Sequence, residues 1–272
     1  MQKKGMASLA LAVVLGVGAQ FVNPVGITST QTPVVGLQSA EAFGLGGMKD
    51  VAKKAVKQAV SSQFNIDLDS MSNKKQDMLL NLVKASYCEQ YSAVQLHTLV
   101  NDPDIAKWTA DLKQKQALLG NAGSLTPKTL EGMKTSLAGS IETKDQATKM
   151  ADLINKMQDS EITEQTKGLQ HNAKVSRTRA AFYNALALRD ATMIIGQSTK
   201  ALAKPSDLGD KVGTVKELMA YAQAAKSLLD EQKQASKVRA QLQKAADKRF
   251  KDAGKVTKDE EQAFDKQMGL AQ

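Results

Sequence analysis

Over residues 161–203 the chain runs without a proline, and after Pro205 it does so again to residue 272. Apolar residues recur through both stretches at helical spacing, and nowhere does a sustained apolar/polar alternation mark a strand. Proline removes a backbone donor and clashes with the preceding turn, so its absence permits very long helices and the periodicity favours them. Two helices of about 40 residues would each be near 60 Å long, more than a compact globule of this size requires. The expectation is an all-α fold: an elongated bundle of long antiparallel helices with coiled-coil-like packing. Aromatics make up 4% of residues, and stripes of Ala, Leu and Met let helices approach closely. No two segments align well enough to make a repeat of the solenoid kind.

The first 42 residues read as an export signal. Lys3 and Lys4 precede an uncharged apolar run from Met6 to Ala19, and Ala40-Glu41-Ala42 offers a small-x-small cleavage site before Phe43. The run is short for a membrane span and holds Gly16 and Gly18, which favours cleavage over anchoring. A second candidate cut lies after Ala19. No cysteine follows the apolar run closely, so a lipid anchor of the lipoprotein type is not expected. The domain plan is therefore a signal peptide over 1–42 and a single helical-bundle domain over 43–272, with an extracytoplasmic location, periplasmic or secreted. Removing the signal takes away two Lys and one Glu, leaving 35 basic and 27 acidic residues and a charge of +8.

The segment 43–64 predicts a basic amphipathic N-terminal helix. Met48, Val51, Ala52, Ala55, Val56, Ala59 and Val60 form one stripe, while Lys49, Lys53, Lys54 and Lys57 face away from it. These four lysines are the candidate contacts to an anionic surface, since lysine stems lie along a lipid boundary while their heads meet phosphates. The alternative is that the small apolar face packs on the bundle.

Further along, a helix is expected over 72–100, ended by Asn101-Asp102-Pro103-Asp104, where Asp102 as N-cap and Pro103 in the first turn start the next. Ile105, Trp108 and Leu112 mark the inner face of that helix. Thr126-Pro127 repeats the device before Leu130, Met133, Leu137 and Ile141. Thr143 to Gln146 and Thr257 to Glu260 read as capping boxes, the first leading into Ala147, Met150, Ile154 and Met157 and the second into Phe264 and Met268. Long helices are expected over 161–203, with Gly168 and Gly196 as weak points, and over 214–253.

The search for chemistry returns little. Cys88, the single cysteine, reads as a small buried core residue, with a homo-oligomer linked through it as the other expectation. His97 and His171 are too far apart to make a helical metal pair, and neither has Glu three residues before it. His97 reads as a helix-surface or interhelical hydrogen-bonding group and His171 as solvated. Asn65, Asp67 and Asp69 have the spacing of a calcium loop, but Ser70 and Gln76 stand where glycine and a bidentate glutamate belong, so Asp67 and Asp69 are assigned to capping and turn roles. No catalytic, cofactor or metal residues are assigned and no enzyme activity is expected.

Lysine supplies 32 of the 37 basic residues, whereas base and phosphate recognition favours the arginine fork, so nucleic acid is not the expected partner. The expected function is that of a non-enzymatic binding, scaffold or adaptor module of the cell envelope, with an envelope protein or an anionic lipid or polymer surface as partner. The alternative is a membrane-active protein of the pore-forming type that uses the basic N-terminal helix.

Overall fold

The structure, a computed structural model, describes residues 67–138 and 141–271. The signal segment 1–42, the amphipathic segment 43–64 and Lys49, Lys53, Lys54 and Lys57 lie outside the described residues. Among the described residues there are seven α-helices and no strand: α1 (Leu68–Leu99), α2 (Ile105–Leu119), α3 (Pro127–Ala138), α4 (Lys144–Lys156), α5 (Glu164–Leu202), α6 (Val212–Arg249) and α7 (Lys258–Gln267). The chain is an all-α helical bundle, as its periodicity requires.

Three long helices set the architecture. Met78 near the start of α1 shares a cluster with Ile194 near the end of α5, while Leu96 near the end of α1 meets Ala173 near the start of α5, so these helices are antiparallel. Ala201 of α5 meets Val215 of α6, and Leu169 meets Ala246. That makes α6 antiparallel to α5 and parallel to α1. At 39 and 38 residues, α5 and α6 each run for about 57 Å. Helix α2 packs on α1, α3 and α4 pack on α6, and α7 packs on α5. Tyr91 of α1 also meets Phe264 of α7 edge to face, with ring centres 5.4 Å apart. With neighbours on so many sides, α1 is buried at every residue from 82 to 97.

Local chemistry sets the ends. Asp67 caps α1 by accepting from the Ser70 N–H at 2.9 Å, and Asp69, Ser70 and Gln76 are all helical, so the calcium-loop spacing is instead the first turns of a helix. Thr126 accepts from the Thr129 N–H at 3.1 Å at the start of α3. Capping boxes at Thr143/Gln146 and Thr257/Glu260 open α4 and α7 as their sequences indicate. Helix α5 starts later than expected, behind its cap Thr163, because a short 3₁₀ turn at Asp159–Glu161 precedes it. Ile141 falls beyond α3 rather than on its stripe.

Three helices close with the same device. At the ends of α1, α6 and α7, a residue in the left-handed region (Asn101, Lys251, Gly269) is followed by one whose N–H reaches back five residues: Asp102 to His97 at 3.0 Å, Asp252 to Asp247 at 2.9 Å, and Leu270 to Asp265 at 2.7 Å. In α6 the device ends the helix at Arg249, short of the Ala253 expected from periodicity. Lysine rarely takes a positive φ, so the sequence carries no mark of the turn at Lys251.

Candidate functional site

The return at the end of α1 builds the first part of a buried polar cluster. His97 sits in the last turn of α1, and the turn brings the Asp102 carboxylate to its Nδ1. The other Asp102 oxygen accepts from the Asp104 N–H at 2.8 Å and braces the turn, but α2 begins at Ile105 with Asp104 as its N-cap and no side-chain capping bond, so the cap expected at Asp102 falls two residues later. Burial pushes the Asp102 carboxyl up, but the Asp104 N–H and His97 outweigh it and hold it below the usual carboxylate range. Trp108, one turn into α2, stacks on the His97 ring with centres 3.9 Å apart, and its carbonyl accepts from Gln90 Nε2 at 3.0 Å.

On the opposite side of the imidazole lies Glu142, just ahead of the α4 cap. His97 Nε2 is 3.3 Å from Glu142 Oε1. Arg239, from the C-terminal half of α6, donates through Nε to both Glu142 oxygens at 3.1 and 3.2 Å and through Nη1 to the Glu89 backbone carbonyl at 3.0 Å. Arg239 is 0% and Glu142 2% exposed. Burial alone would raise the Glu142 carboxyl, but Arg239 and His97 overcome it and bring it down to about 2.

The Glu89 side chain has the opposite environment. It is 0% exposed, its nearest cation is Arg239 Nη1 at 3.6 Å, and neither oxygen has a well-formed hydrogen bond. Burial raises its carboxyl pKa, with Arg239, Arg177 and the Ser236 hydroxyl pulling the other way. Two glutamates on one guanidinium are thus pushed apart, a pattern also found in acid–base pairs. Here both are enclosed in the core, so the arrangement links helices: one arginine fastens α6 to the α1 backbone and to the connection before α4, and the imidazole fastens that connection to the α1–α2 turn.

A second polar cluster docks α7. Arg179 of α5 pairs with Asp265 on two sides, donating from Nε to Oδ1 at 2.9 Å, and its Nη1 reaches Glu261 at 2.8 Å. The Tyr183 hydroxyl donates to Asp265 Oδ2 at 2.8 Å, and Lys84 Nζ donates to the Leu270 carbonyl at 2.8 Å.

His97 takes the interhelical role rather than a surface one. His171 stays half-exposed beside Glu260 at 3.2 Å. Cys88 is a core residue with 0% exposure, and burial pushes its thiol well up. A disulfide between two copies would require this part of the core to open. Sequence reasoning missed Glu89, Glu142, Arg177, Arg179 and Arg239 as members of buried clusters. The signal was the rarity of arginine: four of the five arginines (179, 189, 239 and 249) are ion-paired, and the fifth, Arg177, lies beside Glu89.

Among the described residues no group of three or more metal-ligating side chains converges, and no helix is long and apolar enough to cross a membrane. No family model, no characterised protein and no solved structure matches the chain.

Proposed function

We propose that this chain is exported and works by binding, as a non-enzymatic scaffold or adaptor module of a cell envelope. The observation that supports the reading is where its strongest charge chemistry goes. Glu89, Glu142 and Arg239 are enclosed in the core, where they fasten long helices to one another. What the bundle offers to a partner is the outside of long helices whose positions this clamping fixes. Export rests on the 1–42 segment and binding on the basic balance of the remaining chain, 35 basic against 27 acidic residues or +8.

The test is fractionation of expressing cells followed by N-terminal sequencing and in-cell cross-linking. The expected result is a mature chain beginning at Phe43 outside the cytoplasm, cross-linked to an envelope component through lysines on the bundle exterior. An intact Met1 terminus retained in the cytoplasm overturns the address. Recovery of only uncross-linked chain from the envelope overturns the binding role.

A further inference from the structure

Helix α6 divides its charges by side. Asp247 turns inward to Gln170 and Gln243, and Glu231 is half-buried. Lys226, Lys237, Lys244 and Lys248 are exposed and Lys233 is half-exposed. These five lysines are separated by 7, 4, 7 and 4 residues, which keeps them within about 60° of arc along about 33 Å of helix. Exposed Gln223, Gln234 and Gln241 lie beside the row, and Asp230 is the one carboxylate on it.

The row works against the helix that carries it. Lys233/Lys237 and Lys244/Lys248 are like-charge pairs at i, i+4, each destabilising an isolated helix by roughly 0.2–0.5 kcal/mol. Among the described residues no carboxylate pairs with any of the five within ion-pair distance. A surface shaped only for solubility intersperses both signs. An anion laid along this row relieves the repulsion; the arginine fork suits one phosphate or base held in fixed geometry, whereas lysines at the tips of mobile stems meet the summed charge of a string of phosphates as point charges.

We propose that the outer face of α6, along Lys226, Lys233, Lys237, Lys244 and Lys248, is the docking surface for a linear phosphodiester polymer of the cell envelope. A line of charge complements a line of charge: the row is narrow and long, whereas a flat membrane draws on basic groups spread over a plane and on apolar side chains that enter it. The one large apolar side chain standing exposed among the described residues is Leu153, on α4 rather than on this face. Binding is electrostatic and releases counterions, so its affinity falls steeply with salt.

The proposal rests on the binding reading above but separates from it, because export and envelope cross-linking are scored independently of this ligand. The experiment titrates the full chain with poly(glycerol phosphate) over a range of salt concentrations. The triple variant Lys226→Glu, Lys237→Glu, Lys244→Glu is compared with a charge-matched control, Lys107→Glu/Lys113→Glu/Lys128→Glu on α2 and α3. The α6 variant is expected to lose at least tenfold in affinity and to lower the salt slope by about 2, at roughly 0.7 per phosphate contact removed, while the control loses far less. It should also melt no earlier than the parent: Lys226→Glu sets a carboxylate one turn ahead of Asp230 and costs a pair, but Lys237→Glu and Lys244→Glu turn the repulsive pairs with Lys233 and Lys248 into attractive ones. Equal losses in the α6 variant and the control would reduce the effect to net charge and overturn the proposal. So would tighter binding to vesicles of phosphatidylcholine and phosphatidylglycerol in equal amounts than to the polymer, or no polymer binding by the parent.

Discussion

Replacing Arg239 with methionine removes the guanidinium while keeping most of the side-chain volume. In the native chain that group donates to both oxygens of Glu142 and to the Glu89 carbonyl, and it is the nearest cation to the Glu89 carboxylate. All three residues are buried at 2% exposure or less, so the substitution strands two carboxylates in the core. Breaking a buried pair from one side costs about 3–5 kcal/mol, a large share of the roughly 5–15 kcal/mol that holds a domain together. The drop of the Glu142 carboxyl from 4.5 to about 2 gives an independent scale, since it corresponds to about 3 kcal/mol of preference for the ionised form. Urea unfolding followed by far-UV circular dichroism should show Arg239→Met less stable by that amount at neutral pH with little change in slope. The triple variant Arg239→Met, Glu142→Gln, Glu89→Gln should recover most of the loss, because no charge is then stranded. The gap also has a pH signature. Glu142 has a depressed folded pKa, so its stabilisation is fully present above pH 4.5 and fades as pH falls toward about 2; the parent and Arg239→Met should converge there. A single variant within about 1 kcal/mol of the parent, below the range for a stranded buried charge, or a triple variant no better than the single, refutes the account.

Asp265→Ala should release α7 while leaving the rest of the bundle folded, because it removes both the Arg179 pair and the Tyr183 bond; hydrogen exchange should accelerate over residues 258–270 and not in the core of α1. Cys88, buried with its thiol pushed well up, should resist thiol reagents in the native state, react on unfolding and give no dimer on non-reducing electrophoresis. Lys251→Gly should raise stability by about 0.5–1 kcal/mol: lysine holds a φ of 54° there, which costs an L-residue roughly 1–2 kcal/mol, and glycine removes that cost while losing roughly 0.5–1 kcal/mol more in chain entropy, a change visible as a shifted urea midpoint.

What the sequence made legible were the elements whose signals are local. The threonine caps at 126, 143 and 257 and the helix opening at Pro127 depend on neighbours a few residues away, and they appear where the spacing puts them. The interior of α1 was not legible for a physical reason. An amphipathic reading assigns one side of a helix to solvent, but α1 is enclosed over 82–97, so Glu89, Gln90, Ser92 and Gln95 are interior despite their chemistry. The partners of Glu89 and His97 lie on Arg239 and Glu142, 150 and 45 positions away, beyond any periodicity. Residue choice was the one available clue, since arginine, scarce here, is used where a fixed fork must meet a carboxylate.

That fork supplies something the apolar stripes lack. Rows of Ala and Leu on α1, α5 and α6 remain apolar against apolar if one helix slides along another by a turn, about 5.4 Å, so hydrophobic burial discriminates weakly between registers. The Arg239 contacts do not survive such a slide: bonds of 3.0–3.2 Å to Glu142 and to the Glu89 carbonyl would all break together and leave the carboxylate buried alone. The difference between the true register and its neighbour is therefore several kcal/mol carried by one side chain. Glu142 and Asp102 belong to the connections rather than to the helices, so the same network fixes where α2 and α4 leave the long-helix core. A bundle so pinned holds α6 at one height and one rotation. The line of lysines is set by the spacing within α6, but the fixed rotation keeps that line on the outside of the bundle, which ties the buried network to the binding role proposed for the surface.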